Sequence, residues 1–214
     1  SILERLKVRA NELGGESVLL TFWPHPRMVF DPTGSGLEFL TSIEEKATLL
    51  ESIGIDHLIV FPFTKDFSYW SPEDYIKKIL VEGVKARHII VGYDHRYGYK
   101  GEGDYALLEK LSHDNNYTAE LIPAVEIDSI NVSSTKTRNS LKDGNIELAN
   151  AYLSYEYFIT GMVVHGNKIG RTIGFPTANI KPHLPTKLIP ANGIYIIEIE
   201  VNGKKMTRKK EIGE

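Results

Sequence analysis

The hexapeptide SSTKTR, residues 133–138, sets hydroxyls and cations side by side. A strand-like segment runs into Ser133 and Ser134, both good N-cap residues, and a helical pattern follows as far as Gly144. An ordinary capped helix accounts for the serines. It does not account for Lys136 and Arg138, because cations in a first turn oppose the helix dipole at about 0.3–1 kcal/mol each. A phosphate removes that cost if it is held by N–H groups, by the hydroxyls of Ser133, Ser134 and Thr135, and by the basic pair.

A second stretch, GMVVHGNKIGRTIGFPTANI (161–180), has the composition of a phosphate and metal site. Gly161, Gly166, Gly170 and Gly174 suggest turns or close backbone approach, which would let a polyphosphate lie against the chain, and Lys168 and Arg171 add positive charge. Pro176 fixes its own φ and biases Phe175 to an extended shape. If the chain stays extended, Thr177 and Asn179 face the same side. A hydroxyl and an amide oxygen are hard ligands suited to a Mg²⁺ that also touches phosphates. A β-turn followed by a plain strand is the alternative. The spacing of a P-loop is absent.

VGYDHRYGYKGEGD (91–104) leaves a strand and presents Asp94, His95 and Arg96 among aromatics and glycines. Gly101, Gly103 and Ala106 fit a relaxed dinucleotide spacing but do not follow the strand directly, so a mobile glycine-rich loop near a nucleotide is the better expectation. There Asp94 could accept a hydrogen bond from a base or ribose; a solvated loop with locally packed tyrosines is the alternative. His25 is pinned between two prolines in TFWPHPRMVF (21–30), at a strand end, which raises an otherwise modest functional expectation. His57, His88, His113 and His183 show no ligand spacing.

The elements that must position these residues are legible. Apolar runs at 17–22, 55–63, 86–94 and 118–127 read as strands, the second of them buried. Helical patterns cover the first 13 residues, 42–54, 71–83 and 103–116, with Ser42 and Ser71 as caps and Pro72 at a first helical position. Such alternation argues for a parallel sheet covered on both faces, with ligands beyond the carboxyl ends of its strands. From about residue 154 the pattern changes. SYEYFITGMVVHG (154–166) and GIYIIEIEVNG (193–203) are long, alternating and β-branched, which predicts a small all-β barrel joined through the short helix 145–154. After residue 203 the hydrophobic pattern disappears, and KKMTRKK (204–210) reads as a mobile solvated segment.

The totals narrow the class. At 214 residues the chain can bury one large core or two smaller ones. The net charge of −3 gives no hint of wholesale binding to nucleic acid or an anionic membrane, and no apolar run is long enough to span a bilayer. With no cysteine, a thiolate nucleophile and Cys-ligated zinc are excluded, and a reducing cytoplasm fits. The first helix begins at residue one without an entry strand, and the expectation is a chain incomplete at both ends.

VVHGNKIGRTIGFPTANI with LIPANGIYIIEIEVNG resembles the start of a bacterial riboflavin kinase module, and TFWPHP, VGYDHRYG and VSSTKTR resemble the flavin adenylyltransferase module that precedes it. The order is similar to that of the bifunctional riboflavin kinase/FAD synthetase. The resemblance implies a Rossmann-like α/β nucleotidyltransferase domain over 1–153 and the first part of a riboflavin-kinase barrel over 154–214. It also implies ATP, riboflavin and FMN as small-molecule substrates, FAD as product, and Mg²⁺, without nucleic-acid or membrane partners. In the adenylyltransferase, Ser133, Ser134, Thr135 and Arg138 would grip ATP phosphates, with His25, Asp94 and Arg96 near nucleotide and flavin. In the kinase, Gly161, Gly166, Lys168, Gly170, Gly174 and Pro176 would cover phosphates, and Thr177 and Asn179 would hold the metal. Two departures leave the catalytic residues unassigned. No His-x-Gly-His motif occurs, and neither Glu211 nor Glu214 sits in a pattern matching the family's kinase base. An adenylyltransferase for another phosphorylated vitamin would share SSTKTR but leave GFPTAN unexplained. A nucleotide- or nucleic-acid-binding regulator would rest on KKMTRKK.

Overall fold

The computed structural model describes residues 2–31, 36–123, 133–165 and 179–212. The chain divides into two units: residues 1–35 with 47–131, and residues 36–46 with 132–214.

In the first unit, α1 (Ile2–Leu13) ends where Gly14 turns to φ +60°, and β1 (Val18–Trp23) follows. A short α2 (Pro26–Phe30) and α3 (Ile43–Ile53), whose residues up to Lys46 count with the second unit, lead to β2 (His57–Pro62). β1 and β2 pair in parallel, from Val18 opposite His57 to Trp23 opposite Pro62. Then come α4 (Pro72–Asp74), which runs into a π-helix over Tyr75–Gly83, and β3 (His88–Gly92). α5 (Tyr105–Asn115) is the crossover to β4 (Thr118–Ile122), which pairs in parallel with β3, His88 opposite Thr118.

The parallel, helix-connected strands agree with the sequence expectation, although the described strands make two separate parallel pairs, and two details differ. The helix at 71–83 starts as read, with Ser71 Oγ accepting the Asp74 N–H at 3.1 Å, but continues in π geometry, in which Tyr75, Ile76 and Ile79 are buried. β2 is not a buried strand: Ile55 just before it is buried, whereas Val60 is 38% exposed, because β2 pairs only with β1 among the described strands. β4 covers 118–122, and the rest of its expected length reaches residues outside those described. The core gathers Tyr75, Ile76, Ile79, Val91, Leu108 and Tyr117.

The second unit opens with α6 (Ser134–Lys142) and α7 (Ile146–Leu153), whose Leu141 and Ala149 form a small core with Leu188. β5 (Gly161–Val164) pairs antiparallel with β6 (Asn179–Pro182), and β7 (Gly193–Val201) with β8 (Lys204–Ile212). The expected strand at 154–166 is regular only over its last third, because residues 155–160 follow no ladder. The stretch read as a mobile solvated tail is a strand. Asn202 and Gly203 both take positive φ, +51° and +73°, the conformation of a tight hairpin turn, so Lys204–Ile212 ladders back along β7. The described strands of this unit make two separate antiparallel pairs.

Segment 36–46 belongs to this unit through a buried ion pair. Ser42 caps α3: its Oγ accepts the Glu45 N–H at 3.1 Å, and the Glu45 carboxylate accepts the Ser42 N–H at 2.9 Å. The same carboxylate accepts from Lys187 Nζ at 2.6 Å and from the Thr160 N–H at 2.7 Å, with both charged side chains no more than 2% exposed.

Candidate functional site

A cavity of about 520 Å³ opens in the first unit. It lies where the parallel strands deliver their carboxyl ends: Phe22 is near the end of β1, Phe63 follows β2, and the loop from His95 to Gly101 follows β3. Its walls are aromatic. Phe67 is the hub, with ring centroids 5.3 Å from Trp70, 5.4 Å from Phe22 and 5.6 Å from Phe63. Tyr69 and Tyr99 stand 5.8 Å apart, and Phe30 and Tyr69, 59% and 58% exposed, leave aromatic surface open to solvent. Such a cavity offers faces for a planar ring system.

The titratable groups that line it are basic or phenolic: His95, Arg96 and Lys100 with the tyrosines. His95 stacks on Tyr97 with centroids 5.8 Å apart. Burial pulls the imidazole below its ordinary value, opposed by the charge of Asp94. Arg96 pairs with Asp104 at 3.1 Å, and Asp104 also caps α5 by accepting the Leu107 N–H at 3.0 Å.

The loop expected to be glycine-rich and mobile is bridged by hydrogen bonds between Tyr97 and the Gly103–Asp104 segment. Tyr97 and Gly103 exchange both backbone hydrogen bonds, at 3.2 and 2.9 Å, and Tyr97 Oη donates to the Asp104 carbonyl at 2.9 Å. A Cβ on Gly103 would lie 2.4 Å from the Tyr97 ring, so packing against that ring explains this glycine.

Of the residues singled out from the sequence, Arg96 lines the cavity. Asp94 is exposed in the turn after β3. His25 caps α2, its Nδ1 accepting the Arg27 N–H at 3.2 Å. Neither is among the lining residues. The sequence reading passed over the wall itself, although FPFTKDFSYW (61–70) carries four of its aromatics in ten residues.

The SSTKTR stretch lies in the second unit and forms the expected helix start. Ser133 caps α6, its Oγ accepting the Lys136 N–H at 3.2 Å, and Ser133, Ser134 and Thr135 are exposed. Thr137 is buried and donates to the Ser133 carbonyl at 3.2 Å. Arg138 Nε donates to the Glu38 carbonyl at 3.0 Å, which fixes the guanidinium beside the helix. Gly161 begins β5, where a Cβ would meet the Lys181 carbonyl at 2.5 Å: the expected close approach is to β6. Asn179 is the first residue of β6, opposite Val164. Gly166, Lys168, Gly170, Gly174, Pro176 and Thr177 lie outside the described residues.

Parallel strands that end at an aromatic cavity with a basic rim define the first unit as a small-molecule-binding α/β fold. Comparison with known proteins gives the class a family. Residues 1–136 match the FAD synthetase family and residues 153–213 the riboflavin kinase family. The chain belongs to the bifunctional riboflavin kinase/FMN adenylyltransferases. Over 213 residues it is 36% identical to that protein of Listeria monocytogenes, covering all of this chain and 67% of the relative. It is 31% identical to that of Escherichia coli K12, covering 96% of this chain and 64% of the relative. The chain thus spans about two thirds of its relatives' length. A crystal structure titled as a macrolide-efflux protein from Streptococcus pneumoniae is also similar, with a TM-score of 0.82 at 25% identity over 99% of this chain and 68% of that one. No helix among the described residues of the present chain is long and apolar enough to cross a membrane.

Proposed function

We propose that the chain carries out FAD biosynthesis in two steps, phosphorylation of riboflavin by ATP and transfer of AMP from a second ATP to FMN. The observation that carries this reading is the aromatic, basic-rimmed cavity at the strand ends, within the residues that match FAD synthetase. Its walls suit an isoalloxazine ring, and its rim suits a phosphate. Residues 1–153 form the adenylyltransferase and residues 154–214 the kinase, the latter a barrel to which the two antiparallel pairs contribute.

In the adenylyltransferase an FMN phosphate oxygen attacks the α-phosphorus of ATP. The new P–O bond forms as the bond to the β,γ-phosphates breaks, and pyrophosphate leaves with its electron pair. No covalent intermediate with the chain is needed, so the protein orients the reactants and offsets charge. The aromatic wall holds the flavin ring, and Arg96, steadied by Asp104, faces the same cavity. Ser133, Ser134 and Thr135 offer exposed hydroxyls at the start of α6, where the dipole favours ATP phosphates, and Arg138 stands by them. Asp94 and His25 would position nucleotide and flavin.

In the kinase the terminal hydroxyl of riboflavin attacks the γ-phosphorus of ATP, and ADP leaves. Gly161, Gly166, Lys168, Gly170, Gly174 and Pro176 would cover the phosphates. The hydroxyl of Thr177 and the amide oxygen of Asn179 are donors of the hard type that Mg²⁺ takes, and the ion would offset phosphate charge there.

The test is incubation with Mg²⁺-ATP and riboflavin, and separately with Mg²⁺-ATP and FMN, with the flavins resolved by chromatography. FMN from the first mixture and FAD from the second are expected. Intact flavins and intact ATP in both would defeat the reading.

A further inference from the structure

We propose that Lys100 is the residue by which the aromatic cavity selects a phosphorylated flavin over the free one; the assignment rests on the flavin reading of that cavity. An apolar wall alone cannot make this choice. Riboflavin and FMN present the same ring system, and aromatic faces bind both alike. Discrimination requires a cation at the rim placed to meet the phosphate.

Among the described residues, three basic side chains line the cavity, His95, Arg96 and Lys100, and no carboxylate does. They are not equivalent. Arg96 is partly engaged: one guanidinium nitrogen holds the loop to the start of α5 through Asp104, and that carboxylate offsets part of its charge. His95 keeps an exposed edge, but its ring is stacked on Tyr97 with centroids 5.8 Å apart, and desolvation by its neighbours draws it toward the neutral form. Lys100 forms no ion pair among the described residues. Its ammonium stands over the Tyr99 ring, 5.0 Å from the centroid, and Tyr99 is itself part of the wall. A cation on a partly exposed aromatic face is held without a counter-charge, so its charge is not offset by a carboxylate. A phosphate oxygen arriving at the rim offers a charge-assisted hydrogen bond in exchange.

The backbone carries the same residue on a fixed mount. Lys100 takes φ +51° between Gly98 at +75° and Gly101 at +69°. A lysine in left-handed geometry is less stable than a glycine there, so local energetics do not account for the side chain. The turn is held by the Tyr97–Gly103 exchange on one side and by the Tyr99 N–H donating to the Trp70 carbonyl at 2.8 Å on the other. That second bond ties the ammonium-bearing turn directly to the aromatic wall. A flavin whose ring lies on Phe67 and Trp70 would therefore meet Lys100 at a defined place.

The phosphate could also belong to ATP, and the experiment separates the two. The two tryptophans, Trp23 and Trp70, both lie in the first unit, so their quenching reports flavin binding there. The full chain is titrated with riboflavin and with FMN in the absence of ATP, as the parent and as Lys100→Ala, Lys100→Gly and Lys100→Arg. Lys100→Gly removes the charge while suiting the positive φ, which guards against a folding artefact. FMN affinity should fall on the order of 10- to 100-fold in the Ala and Gly variants. Riboflavin affinity should change less than about twofold, since no charged contact is lost, and Lys100→Arg should recover most of the FMN binding. In FAD formation the Ala variant should raise KM for FMN and leave KM for ATP in place. An equal loss for both flavins, no loss for either, or a rise in KM for ATP alone overturns the assignment. A parent protein whose tryptophans respond to neither flavin defeats the flavin reading itself, and the assignment falls with it.

Discussion

Glu45 shows how one side chain can serve two levels of structure. It closes the capping box of α3 with Ser42, and its other contacts, to Lys187 and Thr160, are made across the core of the second unit. Burial pushes its carboxyl toward the neutral form, but the hydrogen bonds from Lys187, Ser42 and Thr160 override this and hold it below its ordinary value of 4.5. A depressed folded-state value means that the stabilisation is complete above the ordinary carboxylate range and is lost as pH falls through it. Second-unit stability, followed by urea unfolding, should therefore drop on acidification below about pH 4.5. Glu45→Gln should remove about 3–5 kcal/mol at neutral pH, because it leaves the Lys187 ammonium buried without its counter-charge. The double variant Glu45→Gln/Lys187→Met should regain much of that loss. An unfolding midpoint unchanged by Glu45→Gln would show that the pair is not what ties 36–46 to this unit. The Ser-x-x-Glu spacing was visible in the sequence; the partner 142 residues away was not, since nothing local marks a lysine that will be buried.

The turn between β7 and β8 is a matter of elements. Asn202 and Gly203 both need positive φ, and no side chain or backbone atom comes within 4 Å of a Cβ built on Gly203. Gly203→Ala therefore tests backbone conformation alone and should lower second-unit stability by about 1 kcal/mol. Gly15→Ala is the matched control, since Gly15 is equally unobstructed but does not take positive φ, and it should be neutral or slightly stabilising. Equal effects at the two positions would remove the hairpin turn as the cause. Asn-Gly after an alternating strand is a strong hairpin signal, yet β8 was missed because its sequence carries four lysines and an arginine where an apolar alternation was sought. Elements with a clear apolar period were legible to within a few residues, as α3, α5, β3 and β7 show. The π-helix was not, because its sequence is that of an ordinary amphipathic helix and nothing local marks the wider form. The cavity failed to appear for a related reason. Its aromatics come from several separate segments, and the run at 61–70 looks like core until the strands place it at their carboxyl ends.

At the scale of the molecule, the two units need not unfold as one, and the tryptophans make this measurable. Trp23 and Trp70 report on the first unit, while far-UV circular dichroism follows both. A ligand that binds only folded protein stabilises it by RT ln(1 + [L]/Kd), about 2.7 kcal/mol at a hundredfold excess over Kd. FMN should therefore raise the tryptophan-detected urea midpoint, and the Lys100→Ala variant should show a smaller rise at the same FMN concentration. Glu45→Gln should move the circular dichroism transition that the tryptophans do not see and leave the tryptophan midpoint nearly unchanged. Two separable transitions would mean that each unit keeps its own core, Tyr75–Ile76–Leu108 in one and Leu141–Ala149–Leu188 in the other. A single transition shifted alike by FMN and by Glu45→Gln would mean that α3, which crosses from one unit into the other between Lys46 and Ala47, couples them into one cooperative block. In that case flavin binding in the first unit would stabilise the second through the same helix whose first turn holds Glu45.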